Sequence, residues 1–222
     1  LRPELELLLV EQGDSFGGNH IWSFFDSDIA AEHRWLIEPV IAKSWDGYDV
    51  AFPNRRRTLP TGYNSARSEL LDKAVRERLR PDQYRLGATI DEQEIDIDAR
   101  GPAGLGALDL GWQKFVGREY VLEAPHRLSR PIVMDATVEQ LDGYRFVYCL
   151  PFAEDRLLIE DTYYATDPGL DREAIGGRIE TYATARGWRP ARLEKEEEGV
   201  LPVAMGGDFD AFWPAGAGPA RI

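Results

Sequence analysis

The pattern of apolar and polar positions predicts helices and turns early in the chain and strands later. Residues 5–10 are almost continuously apolar, which is typical of a short buried strand, and the acidic residue Glu11 follows directly. Residues 65–79 carry one apolar stripe at helical spacing. Ser65 is the candidate N-cap of this helix, and Pro81 closes the segment.

The second half of the chain has the alternation that is typical of strands. The runs "RPIVMDATV", "GYRFVYCLPF" and "RLLIEDTYYA" are β-rich and are separated by short turns, which predicts an antiparallel meander. Residues 171–186 predict a second helix that stops at Gly187, and "GVLPV" predicts one more strand.

These elements predict a mixed α/β (α+β) fold with two parts. Residues 1–101 resemble half of a nucleotide-binding domain, and residues 102–205 contain the antiparallel sheet of a domain that covers a substrate. Residues 206–222 are rich in Gly, Pro and Ala and are predicted to be a loop.

Composition narrows the class of partner. The 222 residues are 43% apolar, which supports a packed core, and the net charge of −13 argues against nucleic-acid binding. The single cysteine, Cys149, excludes an internal disulfide and fits a reducing compartment. The apolar runs are too short to span a bilayer, and the start without Met, close to a strand, suggests a fragment.

Glu11 is the first candidate binding residue. An acid at the end of a strand holds the ribose of a dinucleotide in Rossmann-type folds, but there a glycine-rich phosphate loop comes about twenty residues earlier. Only ten residues precede Glu11, and none is a glycine. The segment "GLGALD" follows Glu11 and so lies in the wrong order for this fingerprint. The alternative is that Glu11 is a solvated acid at a strand end.

A metal site is not predicted. His20, His33 and His126 are scattered among unlike elements, whereas zinc needs three or four converging ligands. The segment "DIDARG" begins like a calcium loop, but its fifth position is Arg100, which would repel the ion.

Two adjacent acids are the candidate catalytic residues. Strand alternation places Glu160 and Asp161 on opposite faces, so they do not form a close carboxylate pair. An acid in an apolar interior stays protonated near neutral pH and can act as a general acid. One face of the neighbouring strand carries Tyr144, Phe146 and Tyr148. These rings are core packing, the wall of an apolar ligand site, or groups that stabilise a cation.

The segment "NRRRT", residues 54–58, is a basic patch on an acidic protein. It is either a solvated turn or a contact for a cofactor diphosphate or for anionic lipid headgroups.

Six motifs in one order then point to a known family. The stretches "GGNHIWSF", "FPNRRRTL", "PIVMDATV", "GYRFVYCLPF", "LLIEDTYY" and "GDFDAFW" closely resemble the bacterial lycopene β-cyclases of carotenoid synthesis, and the resemblance covers nearly the whole chain. It implies a flavin-hydroxylase-like fold, in which a Rossmann-type FAD domain lies below an antiparallel sheet that roofs the substrate.

The resemblance also implies the cofactor contacts. Glu11 would be the ribose acid of the FAD domain, Gly101 would let the backbone approach the flavin, and residues 206–222 would return toward the FAD domain. Ala99 stands where the family usually has a glycine. The FAD-binding loop before Leu1 and the segment after Ile222 would be missing, so the chain would be truncated at both ends.

The implied reaction is the redox-neutral cyclisation of the linear ends of lycopene, which gives β-carotene by way of γ-carotene. By resemblance Glu160 would be the acid/base, with Asp161 as second choice, and reduced FAD would stabilise the cation, with NAD(P)H as reductant. Tyr144, Phe146 and Tyr148 would line the substrate. The protein would be cytoplasmic and peripheral to the inner face of the cell membrane.

Two other functions stay open. A flavin monooxygenase or prenyl reductase on the same fold would consume NAD(P)H in proportion to product. A non-catalytic carotenoid-binding fragment would bind FAD weakly or not at all.

Overall fold

The computed structural model describes residues 4–101, 105–141, 143–212 and 220–221. Its strands are, in chain order, β1 (Leu9–Val10), β2 (Ile21–Phe25), β3 (Ile41–Trp45), β4 (Tyr48–Phe52), β5 (Arg55–Leu59), β6 (Tyr63–Arg67), β7 (Tyr84–Arg85), β8 (Ile97–Asp98), β9 (Leu108–Leu122), β10 (Ile132–Asp135), β11 (Arg145–Pro151), β12 (Arg156–Ala165), β13 (Pro190–Gly207) and β14 (Ala220–Arg221). Its α-helices are α1 (Arg34–Ile37), α2 (Ser68–Arg78), α3 (Arg172–Ala185) and α4 (Phe209–Phe212). Its 3-10 helices span Asp26–Asp28, Ala31–His33, Glu38–Val40, Pro81–Gln83, Glu92–Glu94 and Leu105–Ala107.

A seven-stranded sheet dominates the fold, with strand order β13-β9-β12-β11-β10-β4-β5. The predicted meander is confirmed, because β10, β11 and β12 pair antiparallel in sequence order. The last predicted strand is much longer than "GVLPV", since β13 has 18 residues and pairs along the 15-residue β9. Strand β9 itself has no counterpart among the elements predicted from sequence.

The two faces of this sheet are covered by different elements. On one face α3 packs against an apolar core that includes Val116, Val147 and Ile159. On the other face the three-stranded sheet β2-β6-β3 packs over a second core around Tyr63, Leu150 and Leu158. Side chains on each strand therefore alternate between two interiors, so neighbouring residues meet different chemistry.

The predicted start of the first long helix is wrong. Ser65 lies inside β6, fully buried, where it is paired with Ser23 of β2 and Lys43 of β3. The helix begins at Ser68, and Arg67 is its N-cap residue. Strand pairing on both sides of residues 63–67 satisfies the backbone there, which overrides the helical pattern of the side chains.

Two small parallel pairs complete the fold, β1 with β7 and β14 with β8. The predicted mixed α/β class with an antiparallel sheet is confirmed. Strands β4 and β5, which come before residue 101, belong to the same sheet as the later strands. The division into 1–101, 102–205 and 206–222 stays a prediction.

Candidate active site

The candidate site lies on the face of the large sheet that the small sheet partly covers. Four residues lie directly opposite one another in neighbouring strands there: Tyr148 in β11, Glu160 in β12, Gly117 in β9 and Glu197 in β13. We call this set the acid row. It contains two carboxyls, separated by a residue that has no side chain.

Glu160 keeps a small opening to solvent but is otherwise packed among protein atoms. Burial raises the pKa of Glu160 to about 7, because the charged form loses hydration. The Thr162 hydroxyl, which donates to Glu160 Oε1 at 2.6 Å, lowers this pKa, and the negative charges of Glu197 and Asp161 raise it. The carboxyl is therefore poised to hold and release a proton near neutral pH.

Glu197 is more deeply buried, with 4% of its surface exposed. Burial raises its pKa to about 7 as well. The backbone N–H of Ile21, which donates to Glu197 Oε2 at 2.9 Å, acts in the opposite direction, as do the charges of Lys195 and Arg67. This residue is not among the candidates predicted from sequence, although alternation through "LEKEEEGVL" could have separated Glu197 from the acids on either side.

An aromatic row lies beside the acid row on the same face. It consists of Phe146, Thr162, Phe115 and Gly199, again directly opposite one another in β11, β12, β9 and β13. The Phe115 ring occupies the space that a side chain at position 199 would need. Two phenylalanines therefore lie in the row next to the acids, on either side of Thr162.

Beyond the aromatic row the face opens to solvent. Tyr164 lies opposite Gln113 in β9, and its hydroxyl donates to Gln113 Oε1 at 3.1 Å. Tyr144 is 39% exposed and its ring lies 6.0 Å from the ring of Phe146, while Leu201 is 48% exposed. An apolar surface thus runs from the solvent-exposed end of the sheet to the buried acid row.

The small sheet closes the other side of the acid row. Tyr148 donates a hydrogen bond to Ser23 Oγ at 2.7 Å, and its hydroxyl lies 2.9 Å from that of Tyr63. Burial holds the pKa of Tyr148 well above its usual range, so this hydroxyl stays neutral. On the same face of β9, two residues from Gly117, the buried Glu119 binds Arg67 of the small sheet at 2.8 Å. The site is therefore walled on the covered side by hydroxyls and an ion pair.

The three aromatic residues predicted to line a substrate have unequal positions. Tyr144 and Phe146 lie on the open side of the acid row, whereas the Tyr148 hydroxyl is bound within the contact between the two sheets. Their lining role stays a prediction.

Asp161, the second candidate acid, lies on the opposite face of the sheet. It is completely buried, and Arg145 binds it through both oxygens, with the shortest contact at 2.7 Å from Nη2 to Oδ2. Arg178 from α3 adds a contact from Nε to Oδ2 at 3.1 Å. This geometry ties Asp161 to the packing of α3 and separates it from the acid row.

The raised pKa of Glu160 predicts a pH effect on stability. Below pH 4.5, the ordinary value, Glu160 is protonated in both folded and unfolded protein. Between 4.5 and about 7 only the folded protein holds the proton. The free energy of unfolding therefore falls as pH rises over this range, and the contribution of the protonated Glu160 is lost once pH has passed through about 7. A tenfold difference in proton affinity between the two states corresponds to about 1.4 kcal/mol, which partial solvent contact reduces.

We therefore expect urea unfolding to show that Glu160→Gln gains stability relative to wild type by roughly 1–3 kcal/mol between pH 5 and pH 8. The glutamine has no charge to lose or gain over this range. Parallel stability curves for the two proteins would contradict the burial assigned to Glu160.

The predicted ribose-binding acid, Glu11, lies at the parallel pair β1–β7. Glu11 follows β1 directly, and its Oε1 accepts a hydrogen bond from the Gly13 N–H at 2.7 Å. An acid at the carboxyl end of a parallel strand is the arrangement that binds ribose hydroxyls. Gly101 has φ of 91°, and a side chain there would meet nothing within 4 Å, so the surface beside it is open.

Within the described residues, no group of three or more metal-ligating side chains comes together. No helix in the described part of the chain has the length and apolar character needed to cross a bilayer.

Comparison with known proteins first defines the fold class. A geranylgeranyl bacteriochlorophyll reductase-like protein from Thermoplasma acidophilum superimposes with a TM-score of 0.62 at 12% identity, over 97% of this chain and 64% of that one. The two proteins share a fold.

The particular family follows from sequence. A family model described as lycopene cyclase protein matches residues 1–96 and 86–220. The lycopene beta-cyclases of Pseudescherichia vulneris and Pantoea ananas are 42% and 41% identical over 99% and 96% of this chain. The chain belongs to the lycopene cyclase family, and it spans about 60% of the length of these curated relatives.

Proposed function

We propose that the protein containing this chain is a lycopene β-cyclase that closes the linear ends of lycopene to β-rings, giving β-carotene by way of γ-carotene. The observation that carries the proposal is the partly buried Glu160, whose pKa is raised to about 7, on the same face of the sheet as the exposed Tyr144 and the ring of Phe146. Family membership and the relatives' names support the same activity.

Glu160 is the proposed general acid. Its protonated carboxyl delivers a proton to C2 of the terminal double bond, and the C5=C6 bond then attacks the tertiary cation at C1 to close a six-membered ring. Loss of a proton from C6 leaves the β-ring. A carboxyl with a pKa of about 7 holds the proton in the resting site and releases it during the reaction.

The surroundings of Glu160 suit a carbocation. Water would trap the cation as an alcohol, and the packing of the small sheet over the acid row limits its access. Phe146 and Phe115 lie in the neighbouring row of the same face, and we propose that their rings stabilise positive charge. Asp161 is not assigned a chemical role in this proposal, because it lies on the other face in contact with two arginines.

FAD is the proposed cofactor, held at the ribose by Glu11 and near the flavin by Gly101, with NAD(P)H as the reductant. When bound and reduced, the flavin would supply an electron-rich surface that stabilises positive charge without net electron transfer. The placement of Glu11 after a parallel strand supports this proposal.

Contact with the membrane surface is proposed because lycopene dissolves in lipid. Arg55, Arg56 and Arg57 form an exposed basic run on β5, the edge strand of the large sheet. Among the described residues no carboxylate lies within ion-pair distance of them, so they are free to meet anionic headgroups on the cytoplasmic face.

Expression of the complete coding sequence in lycopene-accumulating bacteria tests the function. We expect chromatography of the extracted pigments to show β-carotene or γ-carotene in place of lycopene. Unchanged lycopene in cells that contain soluble, flavin-loaded protein would reject the proposal. Consumption of NAD(P)H in proportion to product would instead favour a flavin monooxygenase or a prenyl reductase.

A further inference from the structure

Glu197 stands apart from the acids beside it in the run Glu196, Glu197 and Glu198. Glu196 and Glu198 both bind Arg172, at 2.8 and 2.6 Å, on the α3 side of the sheet. Within the described residues Glu197 forms no ion pair, although it is far more buried than Glu198. A buried carboxyl without a cation is costly to maintain, which indicates a role other than packing.

Gly117 leaves the space that the Glu197 side chain occupies in the acid row. A Cβ atom at position 117 would lie 3.1 Å from Glu197 Cγ and 3.3 Å from Glu197 Oε1, so the Glu197 side chain lies over the glycine. It leans in the direction of β12, which carries Glu160. Strands two positions apart in a sheet are separated by about 10 Å, and the Glu197 side chain reaches across part of this distance toward the strand of Glu160.

The Glu197 carboxyl is also held in a fixed orientation. Its Oε2 accepts the Ile21 N–H from the covering sheet, while Oε1 lies over Gly117. One oxygen is therefore anchored, and the other faces the side of the row on which Glu160 lies.

We propose that Glu197 is a second catalytic carboxyl, the base that accepts the proton released from C6 after Glu160 has protonated C2. This inference rests on the proposed cyclase function. It assigns the two proton transfers of the reaction to two side chains of one row, rather than both to Glu160.

The step balances without any further reagent. The O–H bond of Glu160 breaks as the C2–H bond forms, and ring closure places the cation at C5. The C6–H bond then breaks, its electron pair becomes the C5=C6 double bond, and the proton binds the Glu197 carboxylate. Transfer of that proton across Gly117 to Glu160 restores the resting pair.

The electrostatics of the row are consistent with one shared proton. Each carboxyl titrates near neutral pH, and the charge of Glu197 raises the pKa of Glu160. The charged groups that act on Glu197 are Lys195 and Arg67, which lower its pKa, and Glu119, which raises it.

The test is Glu197→Gln in the complete, flavin-loaded protein supplied with lycopene. The amide oxygen can still accept the Ile21 N–H, but the side chain cannot accept the C6 proton. We expect the rate of ring formation to fall by roughly 10²-fold or more. The cation at C5 also has hydrogens on C4 and on its methyl group, so residual product should include rings with the double bond at those positions.

Glu198→Gln is the matched control, because it removes a charge from the same strand on the opposite face. We expect it to keep the wild-type rate and to form only β-rings. If Glu197→Gln does not fold, Gly117→Ala supplies a second variant, since its added Cβ must displace Glu197 while Glu160 is unchanged.

Each result decides the proposal. Wild-type rate and products in Glu197→Gln would overturn it and leave the cyclase function intact. A slower Glu197→Gln that still forms only β-rings would assign Glu197 a positioning role and would also overturn it. A complete wild-type protein that leaves lycopene unchanged would remove the proposed function, and this inference with it.

Discussion

Replacement of Glu160 by glutamine is expected to abolish lycopene cyclisation while the protein stays folded. The amide has nearly the same shape and can still accept the hydrogen bond from Thr162, which donates to Glu160 Oε1 at 2.6 Å. It cannot deliver a proton, and removal of a general acid costs typically 10²–10⁴-fold in rate.

The measurement is the rate of conversion of lycopene by the purified, flavin-loaded variant, followed by chromatography of the pigments. Glu160→Asp is the informative companion, because it retains an acid on a shorter side chain and should keep part of the activity. For the wild type, the rate should fall as pH rises through about 7, since the acid must be protonated to act.

Flavin content and thermal unfolding at pH 6 serve as the controls for folding. A Glu160→Gln protein that is folded, flavin-loaded and as active as wild type would remove Glu160 from the mechanism. The acid would then have to be sought elsewhere in the acid row.

Alternation alone placed Glu160 and Asp161 on opposite faces, and the structure agrees because strand period is a local property. The sequence could not show that Asp161 meets Arg145 and Arg178. The second contact joins a strand to a helix that begins eleven residues after Asp161, and nothing in the local pattern fixes how that helix lies on the sheet.

The placement of Glu197 in one row with Glu160 could not be predicted for a related reason. Its proximity to Glu160 depends on the register of β13 on β9 and of β9 on β12, which is a property of three strands distant in sequence. Strand β9 was also not predicted, because its sequence contains glycines and charged residues that are not typical of a buried strand. In the fold the Glu197 side chain lies against Gly117, and a side chain at position 117 would have to shift it by a few tenths of an ångström.

Asp161→Asn is expected to have the largest effect on stability. Asp161 is completely buried and binds Arg145, which is itself almost fully buried, through contacts of 2.7 to 3.1 Å. Asparagine keeps the shape but removes the charge, so Arg145 and Arg178 lose their carboxylate. Removal of one partner from a buried ion pair typically costs about 3–5 kcal/mol.

The measurement is urea unfolding at pH 8, with the midpoint compared between Asp161→Asn, Glu160→Gln and wild type. We expect Asp161→Asn to unfold at a much lower urea concentration and Glu160→Gln to unfold at the wild-type concentration or above it. The two adjacent acids would then have different roles. Asp161 would hold α3 to the sheet, and Glu160 would supply the proton for the reaction. An Asp161→Asn midpoint within experimental error of wild type would show that the arginines find other partners, and that the ion pair does not hold α3 to the sheet.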